Sequence, residues 1–403
     1  MNGINRLVLI GNGFDLAHGL KTSYKDFISW YWSGVLDQLK NCNKSRWSDE
    51  LCTFECSEHF YLSEIFDNCS CVGDNAYEKI NTNIGKIKRR TELVFRESLL
   101  IQNICKSIET KGWADIEYEY YELLKEYSLN KPDEGNLKSL NKQLRCLEGL
   151  LVEYLGEIDG WKLEFNEEIK KKIYVPIDIV DISVDRLRMI EKYRESCLCE
   201  AQESYPNFDD LEDSIYRMYY VNSEKFSRSR RNKSDIMEAD SIMLLSFNYT
   251  KTASLYIPEK EEYFTVNYIH GKLDNPESVI FGYGDELDEK YKQLQESNDN
   301  ECLKNVKSIK YLEADNYRKV LQFIESAPFQ VCIMGHSCGN SDRTLLNTIF
   351  EHENCISIKP YYHKRSDGSD NYIEIVQNIS RNFKDPKLMR DRVVNKYYCE
   401  PLT

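Results

Sequence analysis

The chain opens with an unbroken apolar run, Leu7-Val8-Leu9-Ile10, that stops at Gly11 and gives way to "NGFDLAHGLKTSYKDF", where polar and apolar residues recur at helical spacing. A short run rich in branched residues reads as a buried strand, and the change of period after two glycines reads as a turn into a helix. The same strand-like texture returns after residue 236, in "SIMLLSFNY" (241–249), "YFTVNYIHG" (263–271), "FQVCIMG" (329–335) and "CISIKPYY" (355–362); a helical segment, "SDRTLLNTIF", follows the third of these. From about 37 to 235 the texture is instead charged and helical, with few glycines and hardly a proline. Its clearest segment is "NLKSLNKQLRCLEGLLVEYLGEI", where Leu137, Leu140, Leu144, Leu147, Leu151, Tyr154 and Ile158 fall at three- and four-residue steps on one helix face. "ADIEYEYYELLKEY", after Trp113, predicts a second helix. Strands that alternate with helices predict an α/β fold with a Rossmann-type parallel sheet flanked by helices. Residues 1–36 and 236–403 are expected to form one discontinuous core, and 37–235 a large helical insertion. No internal repeat is visible.

Composition narrows the classes. With 403 residues, 41% hydrophobic and 12% aromatic, the chain has ample material for a large core or two smaller ones. Asp plus Glu outnumber Lys plus Arg by 67 to 53, a formal charge of -14, which disfavours extended, non-specific binding to nucleic acid. The one dense basic run is "KFSRSRRNKSD" (225–235), read as an exposed loop, either merely solvated or in contact with phosphate. Fourteen cysteines cluster locally as Cys52 with Cys56, Cys69 with Cys71, and Cys197 with Cys199, but none forms the paired C-x-x-C units of a zinc ribbon. Reduced thiols are expected, and no metal. With no export signal and no long apolar span, the expectation is a cytoplasmic protein without membrane contact.

Candidate chemistry lies at the strand ends. Gly11-Asn12-Gly13 suits a tight turn, and it would also let a phosphate approach the backbone N–H groups from Gly11 to Phe14; position 16 is Leu, so the full G-x-G-x-x-G pattern is absent. Asp15 either accepts a ribose hydroxyl or caps the following helix. "SFNYT" ends a strand at Asn248, "NYIHGK" ends another at His270-Gly271, and "IMGHSCGNSDRTLL" brings Gly335, His336, Ser337 and Asp342. In an open α/β sheet such strand ends line one crevice. Of the six histidines, His270 and His336 stand out by position, while His18, His59, His352 and His363 read as surface or packing residues. "GWADIEYE" holds Trp113, Asp115 and Glu117, which either start a helix with acids in its first turn or close a site by stacking and polar contact. "FGYGDE" (281–286) reads as a lid or a hairpin turn.

On these residues the chain resembles a known family. "LIGNGFDLAHGLKTSYKDF" is similar to the signature of the AbiH family of phage abortive-infection proteins, and "SFNYT", "IHG" and "MGHSCGNSDR" fall where that family has its later motifs. Their order also resembles that of the sirtuin fold. That resemblance implies an NAD site opened by Gly11 and Gly13, a nicotinamide-side Asn248, a catalytic His270, and an adenosine-side loop of Gly335 and Ser337. Two features depart from the sirtuin pattern: the zinc module is missing, and Thr250 stands where an acid usually follows the pocket Asn. The implied function is an anti-phage effector that cleaves NAD, or a related nucleotide, at the nicotinamide N-glycosidic bond. Asn248 would orient the carboxamide or the water, and His270 would be the general base. The implied partners are the nucleotide, as substrate or ligand, and a phage-derived trigger, with self-association through the insertion. Two rivals stay open: a nucleotide sensor without turnover, and a metal-dependent nuclease built on Asp15, Asp115, Glu117 or Asp342.

Overall fold

The computed structural model describes residues 3–67, 69, 76–130, 132–159, 163–190, 236–258 and 263–403. The apolar runs at both ends of the chain become strands β1 (Asn5–Ile10), β2 (Ser241–Ser246), β3 (Phe264–Tyr268), β4 (Phe329–Met334) and β5 (Cys355–Tyr361). They form a single sheet in the order β5-β4-β1-β2-β3, with every pairing parallel. Read from the β3 edge this is the Rossmann order, and the fold is α/β with helices flanking the sheet. β1 is buried along its whole length, as expected of a parallel strand covered on both faces. One cover is the helix Glu167–Tyr174, whose Ile169 and Ile173 pack against Val8, Ile10, Ile242, Leu244, Cys332 and Met334. Arg6 is buried in this central strand. Its guanidinium donates to Gln330 Oε1 at 3.0 and 3.2 Å and to the Ile173 carbonyl at 2.7 Å, tying the last turn of that helix to the sheet.

The chain divides into two compact units: Met1–Gly19, Lys162–Lys272 and Tyr311–Thr403 form the first, and Leu20–Trp161 with Leu273–Lys310 the second. The five-stranded sheet lies in the first. In the second, the long amphipathic segment is the helix Glu134–Asp159, and all seven residues of its expected apolar face are buried. The middle of the chain is not helical throughout. Arg46–Ser48, Cys52–Glu55 and Val94–Glu97 pair as a small antiparallel sheet, held by a stack of Phe54 on Phe95 with ring centroids 4.5 Å apart. Strands of three or four residues are too short for a two-residue period to show above a helical background.

"GWADIEYE" starts the helix Ile116–Lys125, and the Asp115 carboxylate caps it by accepting the Tyr118 N–H at 3.0 Å. Glu117 is 6% exposed and lies 2.9 Å from Lys307 Nζ, while its other oxygen accepts the Gly282 N–H at 3.2 Å. The loop 281–286 is therefore held by its neighbours in this structure and does not pair back on itself as a hairpin. Besides the contact with Glu117, Tyr283 stacks on Tyr121 at 3.8 Å and exchanges backbone hydrogen bonds with Asn305 and Lys307. Trp113 is 60% exposed, with Lys111 Nζ 5.9 Å from its ring.

The basic run 225–235 and the cysteines Cys71, Cys197 and Cys199 lie outside the described residues. The described cysteines are free thiols, and no described helix is long and apolar enough to cross a membrane.

Because Glu117 and Lys307 neutralise each other in a buried place, removing one partner should cost more than removing both. Lys307→Met is expected to lower the unfolding free energy by about 3–5 kcal/mol, and Glu117→Gln/Lys307→Met to recover most of that loss. Urea midpoints of the parent and the two variants check it.

Candidate functional site

The order of the sheet decides where a site can be. From β1 the chain adds β2 and β3 on one side, then returns to add β4 and β5 on the other, so the order reverses between the neighbouring strands β1 and β4. Such a switch point opens a crevice at the carboxyl edge of the sheet.

At that edge the two loops lie backbone against backbone. The Gly11 N–H donates to the Met334 carbonyl at 3.3 Å, the Gly13 N–H to the Gly335 carbonyl at 2.8 Å, and the Phe14 N–H to the Gly11 carbonyl at 2.9 Å. A Cβ on Gly11 would lie 2.5 Å from His336 Cα, and one on Gly13 would lie 2.9 Å from Gly335 Cα. Gly335 has φ +75°, and a Cβ there would fall 2.1 Å from the Phe14 nitrogen. Close approach of the two loops thus requires all three glycines. The N–H groups of Gly11, Gly13 and Phe14 thus have acceptors inside the protein, whereas a phosphate cradle would present them outward. Phe14 is buried, and the side chains of Asn12 and Ser337 are exposed on their two loops.

Asn248 and Asp15 join these loops to β2. Asn248 Nδ2 donates to the Gly11 carbonyl at 2.9 Å, so the amide braces the glycine turn. Its backbone N–H donates to Ser246 Oγ at 3.2 Å, and that hydroxyl in turn donates to the Asn248 carbonyl. Asp15, 1% exposed, does not cap its own short helix; its Oδ2 accepts the Thr250 hydroxyl at 2.7 Å. The threonine that departs from the sirtuin pattern is thus the partner of the acid in the first loop.

The histidines expected to matter meet around one carboxylate. Asp342 Oδ1 is 3.2 Å from His270 Nε2, and Asp342 Oδ2 is 3.5 Å from His336 Nε2, with all three side chains buried. His270 comes from the β3 end, while His336 and Asp342 come from the β4 loop and the start of the helix Arg343–Phe350. Phe247 packs between the imidazoles, its centroid 4.0 Å from His336 and 5.3 Å from His270. His336 Nδ1 accepts the Cys338 N–H at 3.0 Å, so in the neutral ring the proton sits on Nε2, facing Asp342. A carboxylate only accepts, so a hydrogen bond from His270 to Asp342 Oδ1 requires the proton on Nε2, the tautomer in which Nδ1 is the basic nitrogen. Tyr311 adds a hydroxyl 3.2 Å from His270 Nε2. Burial, and then the charge of Asp342, push the Cys338 thiol well above its ordinary range. A carboxylate that takes an N–H from each of two imidazoles can orient both and stabilise an imidazolium on either.

His18 packs as expected, between Phe14 and Tyr256. Its Nδ1 lies 2.7 Å from the Phe14 carbonyl and its Nε2 lies 2.6 Å from the Tyr256 hydroxyl, and desolvation holds its pKa below the usual imidazole value. Trp113 and Glu117 belong to the second unit. Among the described residues, no cluster of three or more His, Cys, Asp or Glu side chains could hold a metal ion. Sequence reasoning missed Tyr311, Phe247 and Cys338, and read Thr250 only as a departure from the sirtuin pattern. Phe247 precedes Asn248 in "SFNYT" and Cys338 follows Ser337, so adjacency was available as a signal; Tyr311, in "KSIKYLEAD", offered none.

Gly335→Ala should lower the unfolding free energy by about 3 kcal/mol or more, from left-handed strain plus a backbone clash. Gly34→Ala and Gly149→Ala, at open helical positions, should raise it by about 0.5–1 kcal/mol. Urea titration separates the two cases. Asp342→Asn replaces one acceptor oxygen with a donor. Since the Cys338 N–H holds His336, the ring expected to change tautomer is His270, which NMR of 15N-histidine-labelled protein reads directly.

A family model described as bacteriophage abortive infection AbiH matches residues 7–363. No curated protein and no solved structure matches the chain. The matched span runs from β1 to just beyond β5, so it takes in both glycine loops, Asn248 and the three side chains of the histidine–aspartate cluster. The chain belongs to the AbiH family of phage abortive-infection proteins.

Proposed function

We propose that this AbiH protein is an abortive-infection effector that hydrolyses the nicotinamide N-glycosidic bond of NAD, or of a closely related nucleotide. The observation that carries the reading is the Asp342 carboxylate held by two buried imidazoles at the carboxyl edge of a Rossmann-ordered sheet. That edge is where open α/β sheets bind nucleotides.

In the proposed step the bond from the ribose anomeric carbon to the nicotinamide ring breaks, and its electron pair neutralises the ring nitrogen. The oxygen of a water forms the new bond to that carbon, and the water's proton passes to His270 Nδ1. Asp342 orients the ring through Nε2 and stabilises the imidazolium. The products are nicotinamide, ADP-ribose and a proton. Asn248 acts on this reading by holding the Gly11 turn in place. With three loop N–H groups engaged internally, the nucleotide phosphates would be met by the exposed side chains of Asn12 and Ser337. Loss of the cofactor would halt an infected cell. A phage-derived trigger and self-association through the insertion, residues 37–235, remain part of the proposal, and the setting is the cytoplasm.

A second reading, a nucleotide sensor without turnover, is favoured by one fact: His270 is only 4% exposed. A metal-dependent nuclease is less well supported, because Asp115 is spent as a helix cap and Glu117 on Lys307.

Chromatography of NAD incubated with purified protein, with and without phage lysate, tests the choice. Nicotinamide release by the parent, with loss of about 100-fold or more in His270→Ala, supports hydrolysis. Binding of NAD that survives His270→Ala, with no product from any variant, supports the sensor.

A further inference from the structure

Cys338 is one of few described non-glycine residues with positive φ, at +55°. This conformation is costly for a residue with a Cβ, and it persists only where its surroundings impose it. Here it directs the Cys338 N–H at His336 Nδ1, 3.0 Å away. The neighbouring carbonyls are held from one helix, Tyr372–Arg381, and its C-cap Asn382. Asn378 Nδ2 donates to the Ser337 carbonyl at 2.7 Å, and Asn382 Nδ2 to the Cys338 carbonyl at 2.9 Å.

Asn382 is fully buried. Its Nδ2 also donates to the Asn378 carbonyl at 2.8 Å, so two carbonyl acceptors fix which way its amide points, and its Oδ1 has no hydrogen-bond partner. The Asn382 carbonyl in turn accepts Asn347 Nδ2 at 2.8 Å. Asn347 lies on the helix Arg343–Phe350, whose N-cap residue is Asp342. The chain of contacts therefore closes on itself, from Asp342 through its helix to Asn347, then Asn382, Cys338 and His336, and back to Asp342.

We infer that Asn382 and Asn378 are positioning residues for His336: by clamping Ser337 and Cys338 they keep the Cys338 N–H on His336 Nδ1, and so keep the Nε2 proton pointed at Asp342. With the other tautomer, the His336 Nε2 lone pair would face the carboxylate, and Asp342 would lose one of its two imidazole donors. The inference deepens the proposed function and rests on its assignment of the cluster to the site, but its first test needs no substrate.

That test is NMR of the full chain with 15N-labelled histidine, above the range in which imidazoles protonate. The parent should show His336 as a single Nε2–H tautomer. Asn382→Asp, which sets carboxylate oxygens against two carbonyls, and Asn378→Ala, which removes the hold on Ser337, should each give a mixture of tautomers. If Asn382→Asp fails to fold, Asn378→Ala decides. A mixture already present in the parent, or an unchanged single tautomer in the folded variants, overturns the inference. Where NAD hydrolysis is measurable, kcat should fall by about 10-fold or more with a smaller change in KM, as for other groups that orient a site from behind. If the parent does not hydrolyse NAD, the proposed chemistry fails while the tautomer result still judges the clamp.

Discussion

Everything at the carboxyl edge of the sheet depends on the approach of two loops, backbone to backbone, through Gly11, Gly13 and Gly335. A side chain at any of the three positions would overlap the opposite loop. The approach has two consequences. It engages the Gly11 and Gly13 N–H groups, two of those that a glycine turn of this kind would otherwise offer a phosphate. It also sets His336, which follows Gly335 directly, beside the β1 loop, with Asp342 reaching back to it from the next helix. The glycines are thus architectural first, and the chemistry of the site is built by the side chains that their contact brings together.

Around that contact the polar residues sort by what they hold. Asn248 holds the first loop to β2, Asp15 holds Thr250, and Asn378 with Asn382 holds the second loop. His270, His336 and Asp342 are the residues at this edge whose arrangement carries acid–base capacity. In the second unit, Glu117 with Lys307 and Tyr121 on Tyr283 perform a similar holding role for a loop between helices. Most of the buried polar side chains described here are bound to backbone or to an opposite charge, as burial demands.

Much of this was legible in the sequence, for identifiable reasons. β1, β2 and β4 carry apolar runs because strands inside a parallel sheet are covered on both faces, and such runs stand out in a chain of otherwise mixed texture. His270 and His336 were legible because each lies within two residues of a strand end and next to a glycine, and Asp342 because it stands just before the helix that follows β4, where an α/β sheet places functional groups. The direction in which Gly11 and Gly13 face was not legible, since a turn that admits a phosphate and a turn that admits another loop require the same residues. Asn248 illustrates the same limit: an amide at a strand end can meet a ligand or a neighbouring carbonyl, and only the fold distinguishes them. Tyr311 and the small antiparallel sheet left no trace, one because nothing around it repeats and the other because its strands are too short.

The central claim is that the histidine–aspartate cluster makes this AbiH protein an NAD-consuming effector during infection. The most direct measurement is the NAD content of phage-infected cells that carry the parent chain or its His270→Ala variant at equal expression. NAD should collapse after infection with the parent and stay at the uninfected level with His270→Ala, whose cells should no longer abort the infection. Abortive infection by the parent with NAD undiminished would contradict the account.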